Sequence, residues 1–353
     1  MSRLLDQPAG GLTYAQAGVS IEAGDEAVNR IREVVSRTSR REVLGGIGGF
    51  GGLFALDTSR YRAPVLVASA DGVGTKLEVA RQMGRYDTVG VDLVAMLVDD
   101  LVCIGAEPLF VLDYVAVGQL RPERLFELVT GIAHGCQLAH VALLGGETAE
   151  HGGVMGSDDL DVAGFALGVV ERGSELGPDR LREGDVLLGL ASPGLRSNGY
   201  SLARSVLVTS EAALHEPAFA GAARSLGDEL LVPSVIYAPA VRAMIEEFAG
   251  AVHGAAHVTG GGIVGNVGRI LPSTLDATID MTSFETPEIF FEIQRRGRVS
   301  ADEMTRVFNC GLGMVVVVDG AVADGARRVG QSLGLGVEVV GAITNGTGQV
   351  CLT

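Results

Sequence analysis

Glycine gathers where strand-like sequence gives way to a turn, and this placement constrains the fold more than any other feature. The β-branched run Val65–Ser69 leads into Asp71-Gly72-Val73-Gly74-Thr75-Lys76, and Val141–Leu144 into Gly145-Gly146-Glu147-Thr148-Ala149-Glu150. Val186–Leu190 leads into Ser192-Pro193-Gly194-Leu195-Arg196-Ser197-Asn198-Gly199-Tyr200-Ser201, and Ala251–Val258 into Thr259-Gly260-Gly261-Gly262. Helical patterns lie between these units, so the chain reads as mixed α/β layers. Glycine makes up 51 of 353 residues, about twice ordinary usage, yet 47% of residues are hydrophobic and only 20% charged. Disorder is excluded, and the glycines serve folded loops.

Apolar spacing at Ala27, Val28, Ile31, Val34 and Val35 predicts a helix over 25–37. Further helices are expected at Thr88–Ile104, Pro122–Leu138, Tyr237–Phe248, Thr286–Arg296 and Gly320–Leu333. The remaining strands fall at Leu109–Val117, Val162–Val170, Ala277–Asp280, Met314–Val318 and Val337–Ile343. The charged, turn-rich stretch Glu171–Asp185 separates the halves, giving two mixed domains, 1–172 and 173–353.

Asp plus Glu is 43 against 27 Lys plus Arg, a formal net charge of −16, which argues against nucleic acid as the main partner. Only one basic residue, Lys76, is lysine. Cys103, Cys136, Cys310 and Cys351 form no C-x-x-C pair, so free, mostly buried thiols are expected rather than a disulfide or zinc framework. The first residues lack a secretory pattern and no run approaches a membrane span, so a soluble cytoplasmic protein is expected.

Gly45-Gly46-Ile47-Gly48-Gly49-Phe50-Gly51-Gly52 can bring successive backbone N–H groups against phosphate. It follows a helix and matches neither the P-loop nor the Rossmann pattern, and a ligand-free tight loop is equally compatible. Asp71 through Lys76 combines a carboxylate, exposed backbone donors, a hydroxyl and an ammonium, the parts of a nucleotide–metal site. The alternative is an ordinary Asp-Gly turn with a surface lysine.

Asp92 and Asp99 lie seven apart on a largely apolar helix, with Asp100 about 100° further round. Buried carboxylates of this kind need a cation, so Asp71, Asp99 or Asp100, and Glu147 can share Mg²⁺, or each can cap a helix or pair with arginine. The segments at 192–201 and 257–262 offer hydroxyl, amide and N–H donors for a second anionic group, with Arg196 able to pair in bidentate fashion. Helix capping and close packing are the competing readings there. No metal-spaced histidines, serine elbow or cysteine–base pair supports covalent catalysis.

Together these stretches resemble the aminoimidazole ribonucleotide synthetase (phosphoribosylformylglycinamidine cyclo-ligase) family of purine biosynthesis. The matching pieces run in order from about Thr13 to about Ile343: TYAQAGVSIEAG, GGIGGFGG, DGVGTK, VGVDLVAMLVDDLVCIGAEPLFVLDY, GGETAEH, DVAGFALGVVE, SNGYSL, HVTGGG and FNCGLGM. The resemblance implies two α/β domains, with N-terminal strands of two subunits forming a shared β-barrel in a homodimer. It implies an ATP- and Mg²⁺-dependent reaction that phosphorylates the amide oxygen of formylglycinamidine ribonucleotide. A substrate nitrogen then closes the imidazole ring and expels phosphate.

By position it implies Lys76, Asp71 and Asp100 as catalytic, and Asp71, Asp100 and Glu147 as metal ligands. Gly46, Gly48, Gly49, Phe50, Gly51, Gly72, Gly74, Thr75 and Lys76 would be ATP and phosphate contacts. Arg196, Ser197, Asn198, Gly199, Thr259 and Gly260 would contact the ribonucleotide substrate. The chain departs from the family pattern at Arg196, where H-S-N-G-Y is usual, at Asp99, where N-D is usual, and at His151-Gly152-Gly153, where M-P-G is usual. Arg32 and Ala15 stand where lysine is frequent. These changes bear on the substrate, so two alternatives stand beside this reading: a paralogue activating a related amide or amidine, and a nucleotide-binding regulator without turnover.

Overall fold

The computed structural model describes residues 21–46 and 48–353; Ile47, Ala15 and the rest of the early motif before Ile21 lie outside them. The first half runs α1 (Ile21–Ser36), β1 (Val43–Leu44), β2 (Leu53–Phe54), β3 (Pro64–Gly72), α2 (Lys76–Met83), α3 (Asp87–Cys103), β4 (Glu107–Val117), α4 (Pro122–Leu138), β5 (Ala142–Glu150) and β6 (Leu160–Glu171). The second half runs β7 (Val186–Ala191), α5 (Tyr200–Leu207), α6 (Leu226–Leu230), α7 (Ala238–Glu247), β8 (Val252–His257), α8 (Gly262–Val267), β9 (Leu275–Ile279), α9 (Glu288–Gly297), α10 (Ala301–Val307), β10 (Leu312–Val318), α11 (Ala323–Ser332), β11 (Val337–Asn345) and β12 (Val350–Leu352).

β3, β6, β4 and β5 form one sheet in that order, antiparallel except for the β4–β5 pair. α3 and α4 cover one face. They meet backbone to backbone: a Cβ on Gly131 would lie 1.8 Å from the Asp87 carbonyl oxygen, and one on Gly90 2.4 Å from the Ile132 nitrogen. Only glycine permits that approach. The other sheet face leaves Leu66, Phe165 and Tyr114 exposed.

The second sheet has the order β12-β9-β11-β7-β10-β8, antiparallel except for β12–β9. β10 is buried along its whole length. Met314, Val316 and Val318 point into a core continuous with the first half, while Leu312, Val315 and Val317 point into a second core under α8. This strand's alternation therefore serves two apolar faces, which explains its unbroken apolar run.

Two strands outrun their sequence signals. β5 continues through Gly145 to Glu150 because β4 pairs with it as far as Val117↔Glu150. β3 reaches Gly72 because β6 pairs with it there, opposite Ala163. Long-range pairing thus overrides the glycines' weak strand preference, and Asp71 and Glu147, expected in loops, stand on strands. α2 has no counterpart in the predicted elements; it closes at Gly84, whose left-handed backbone (φ 63°) lets its N–H cap Ala80 and Arg81.

Candidate active site

α3 presents Asp92 and Asp99 to the second half of the chain, and both are fully buried. Asp92 lies 2.6 Å from Lys76 Nζ and accepts from the backbone N–H and hydroxyl of Ser234. Lys76 Nζ also donates to the carbonyls of Arg196 (3.0 Å) and Val232 (2.8 Å). Its three donors are thus committed inside the protein. Burial pushes the Lys76 ammonium below its ordinary range, with Asp92 opposing. The expectation that Lys76 contacts phosphate is therefore corrected: it has no accessible surface and joins two halves of the fold.

Asp99 repeats the arrangement two turns along. Arg196 Nη2 donates to Asp99 Oδ2 (2.9 Å), and Asp99 Oδ1 accepts the N–H groups of Tyr237 and Ala238 at the start of α7. Arg196 Nη1 donates to the Val235 carbonyl (2.7 Å), and the guanidinium lies 4.7 Å from the Tyr237 ring centroid. Arg196 is only 1% exposed, so the expected bidentate contact with a substrate anion is corrected as well.

Asp100, one residue on, has 47% of its side chain exposed. His257 at the end of β8 meets its Oδ1 through Nδ1 at 2.8 Å. Asp71 senses both: burial first, then the Asp100 charge, push its carboxyl above the ordinary range, against a Gly72 N–H at 2.7 Å and His257. Beside this group, Thr75 Oγ1 lies 3.2 Å from Ser201 Oγ. Asn198 Oδ1 sits 3.6 Å from the Cβ position of Gly260. Asn266 Nδ2 holds the Thr259–Gly262 turn by donating to the carbonyls of Thr259, Gly260 and Gly262, while Ser197 Oγ is buried without a partner.

The structure thus brings Asp71, Gly72, Thr75, Asp100, Asn198, Thr259 and Gly260 around one interdomain cleft. A cavity of about 420 Å³ opens beside it, with Asp100, His257, Asn266 and Arg269 as polar lining.

Other expected members lie elsewhere. Asp71, Gly164, Asp113 and Gly146 stand in one cross-strand row, whereas Glu147 pairs with Tyr114 in the next. Asp71 and Glu147 therefore point from opposite faces at opposite sheet edges, three strand spacings or roughly 14 Å apart. Among the described residues no three metal-ligating side chains cluster, so the expected Asp71–Asp100–Glu147 triad is not formed within one chain. The Gly45–Gly52 loop is on the Glu147 side: Gly52 abuts Leu144, a Cβ added at Gly46, Gly48 or Gly51 would enter open space, and Phe50 is fully exposed.

Two residues escaped the sequence reading. His257 carried a weak signal, standing just before the Thr-Gly-Gly-Gly turn. Asp113 carried a clearer one, since Val111 and Val115 share its strand face and are buried. Burial pushes Asp113 up to about 7, and it lines a cavity of about 230 Å³ beneath α1 with Glu147 and Thr148.

Two packed α/β units with polar turns converging between them define a two-domain protein built around an interdomain cleft. The chain belongs to the AIR synthase related family: residues 59–170 match the model of its N-terminal domain and residues 182–351 that of its C-terminal domain. It is 46% identical over 342 residues, 97% of this chain and 98% of the relative, to the phosphoribosylformylglycinamidine cyclo-ligase of Carboxydothermus hydrogenoformans. Among solved structures, thiamine-monophosphate kinase from Stenotrophomonas maltophilia shares the fold at TM-score 0.68, with 20% identity and 93% and 95% of the two chains covered. The hydrogenase maturation protein HypE in complex with ATP shares it at TM-score 0.62, with 15% identity and 92% and 90% covered. No described helix is long and apolar enough to cross a membrane.

Proposed function

We propose that this protein is an ATP-dependent cyclo-ligase of purine biosynthesis, converting formylglycinamidine ribonucleotide to aminoimidazole ribonucleotide with release of ADP and phosphate. The observation that carries this reading is the 46% identity to a named cyclo-ligase over nearly the whole of both chains. The cleft chemistry suits it. An amide oxygen leaves readily only once phosphorylated, so the site must align two phosphate-bearing molecules and offset their charge. No protein nucleophile is required.

Asp71 and Asp100 are the proposed cation site, since two neighbouring carboxylates that no lysine or arginine among the described residues pairs with suit Mg²⁺ completed by phosphate oxygens and water. When bound, Mg²⁺ would offset charge on the transferring phosphoryl group. Gly72, Gly74 and Thr75 are proposed as phosphate contacts. Ser197, Asn198, Gly199, Thr259 and Gly260 are proposed to hold the ribonucleotide. ATP as co-substrate draws support from the ATP-bound state of the HypE structure.

The division at residue 172 assigns nucleotide binding and dimerisation to the first domain and substrate binding to the second. Gly46, Gly48, Gly49, Phe50, Gly51 and Glu147 join the nucleotide site when a second copy brings its β5 edge to the β3 edge, in a homodimer with a shared barrel. The exposed side chains of Leu66, Phe165 and Tyr114 on one sheet face support that face as the contact. A cytoplasmic location follows from this pathway. Incubation with ATP, Mg²⁺ and formylglycinamidine ribonucleotide should yield aminoimidazole ribonucleotide and ADP; no product above the enzyme-free control overturns the reading. Sedimentation giving only a monomer at assay concentration overturns the shared site.

A further inference from the structure

Asp99 and Asp100 are neighbours that face opposite ways, and one imidazole spans the gap between their surroundings. Arg196 has no acceptor atom, so the 2.8 Å contact of its Nη2 with His257 Nε2 requires Nε2 to accept. The ring proton then sits on Nδ1, which faces Asp100 Oδ1 at 2.8 Å. Asp99, two N–H groups of α7, the Val235 carbonyl and the Tyr237 ring together fix the guanidinium that makes this choice. Lysine lacks the planar fork that lets one side chain serve Asp99, His257 and Val235 together.

We propose that Arg196 and Asp99 are a matched pair of positioning residues that hold His257 as its Nδ1–H form and aim that N–H at Asp100 in the cleft. Both positions depart from the motifs this chain otherwise matches, where histidine and asparagine are usual, and here the two side chains touch. The cation and its counter-charge sit together in the buried seam, so the pair adds no net charge to it. His257 is thereby a donor to Asp100, its other ring nitrogen being closed off by Arg196.

The kinetic part of the test rests on the cyclo-ligase reading, whereas the spectroscopic part does not. Nitrogen-15 NMR of histidine-labelled protein, with His257→Gln for assignment, should show His257 protonated at Nδ1 and bare at Nε2. In Arg196→Lys, melting should remain cooperative, the Nε2 signal should shift on losing its donor, and kcat should fall by about tenfold or more with KM for ATP unchanged. Asp99→Asn should fall further, and Arg196→His with Asp99→Asn should recover kcat to within about fivefold of the parent. A His257 protonated at Nε2 in the parent overturns the proposal. So does Arg196→Lys with parental kcat, or a double variant no faster than Asp99→Asn alone. A parent lacking ligase activity would refute the cyclo-ligase reading while leaving the NMR result to decide the pairing.

Discussion

The interdomain seam and the cleft beside it are built from the same residue types and use them in opposite ways. In the seam, Asp92 and Asp99 are wholly buried, each against one cation, with remaining polar atoms turned to backbone groups of the second half. In the cleft, the Asp71 and Asp100 carboxylates act on one another, and the side chain that meets Asp100 is the His257 imidazole. Asp99 and Asp100 sit on either side of that division, one peptide bond apart. The lesson is that a carboxylate becomes ligand-binding equipment when the fold withholds its counter-charge. The single lysine belongs to the sealed set.

The largest expected effect breaks the seam. Lys76→Met leaves Asp92 buried and uncompensated and should cost about 3–5 kcal/mol in urea unfolding, with Asp92→Leu added to it recovering most of the loss. Unchanged stability would show that the seam is not an ion-paired joint.

Next is Asp113, a half-buried carboxyl that no basic side chain among the described residues offsets. Its folded value of about 7 exceeds the ordinary 3.8, so the native state binds more protons between them and stability falls as pH rises through that window. Asp113→Asn should remove this slope and raise stability above pH 7 by something on the order of 2–4 kcal/mol, read from melting at stepped pH. A variant with the parental slope would place the titration elsewhere.

A cleft substitution should behave differently. Asp71→Ala is expected to slow the ATP-dependent reaction by at least about tenfold, ~1.4 kcal/mol in the barrier, while unfolding free energy moves by less than about 1 kcal/mol. A large stability loss with normal kinetics would transfer Asp71 to the structural set. Smallest is Phe50→Ala in the open glycine loop: stability should change by less than about 0.5 kcal/mol while KM for ATP rises. Identical KM values would remove Phe50 from the nucleotide contacts.

Much of the architecture was legible from local pattern. Pro122 at the first turn marks α4 where the chain starts it, and the seven-residue spacing puts Asp92 and Asp99 on one line of α3. The converging turns were legible too, because each follows a strand. What local pattern does not carry is partnership. Asp92 is 16 residues from Lys76 and 142 from Ser234, and Arg196 is 97 from Asp99, so charges that read as ligands for phosphate are satisfied by distant parts of the same chain. Strand order is equally non-local: nothing near Glu147 reveals that β5 lies at the edge of the sheet opposite β3.

The two ion pairs also set how the molecule can move. Hinging the halves apart along α3 would break the Arg196–Asp99 pair and take Lys76 from the Arg196 and Val232 carbonyls and Asp92 from Ser234, while Lys76 and Asp92, both in the first half, would stay together; the broken pair alone costs several kcal/mol. Separating the halves is therefore the costly motion of this fold.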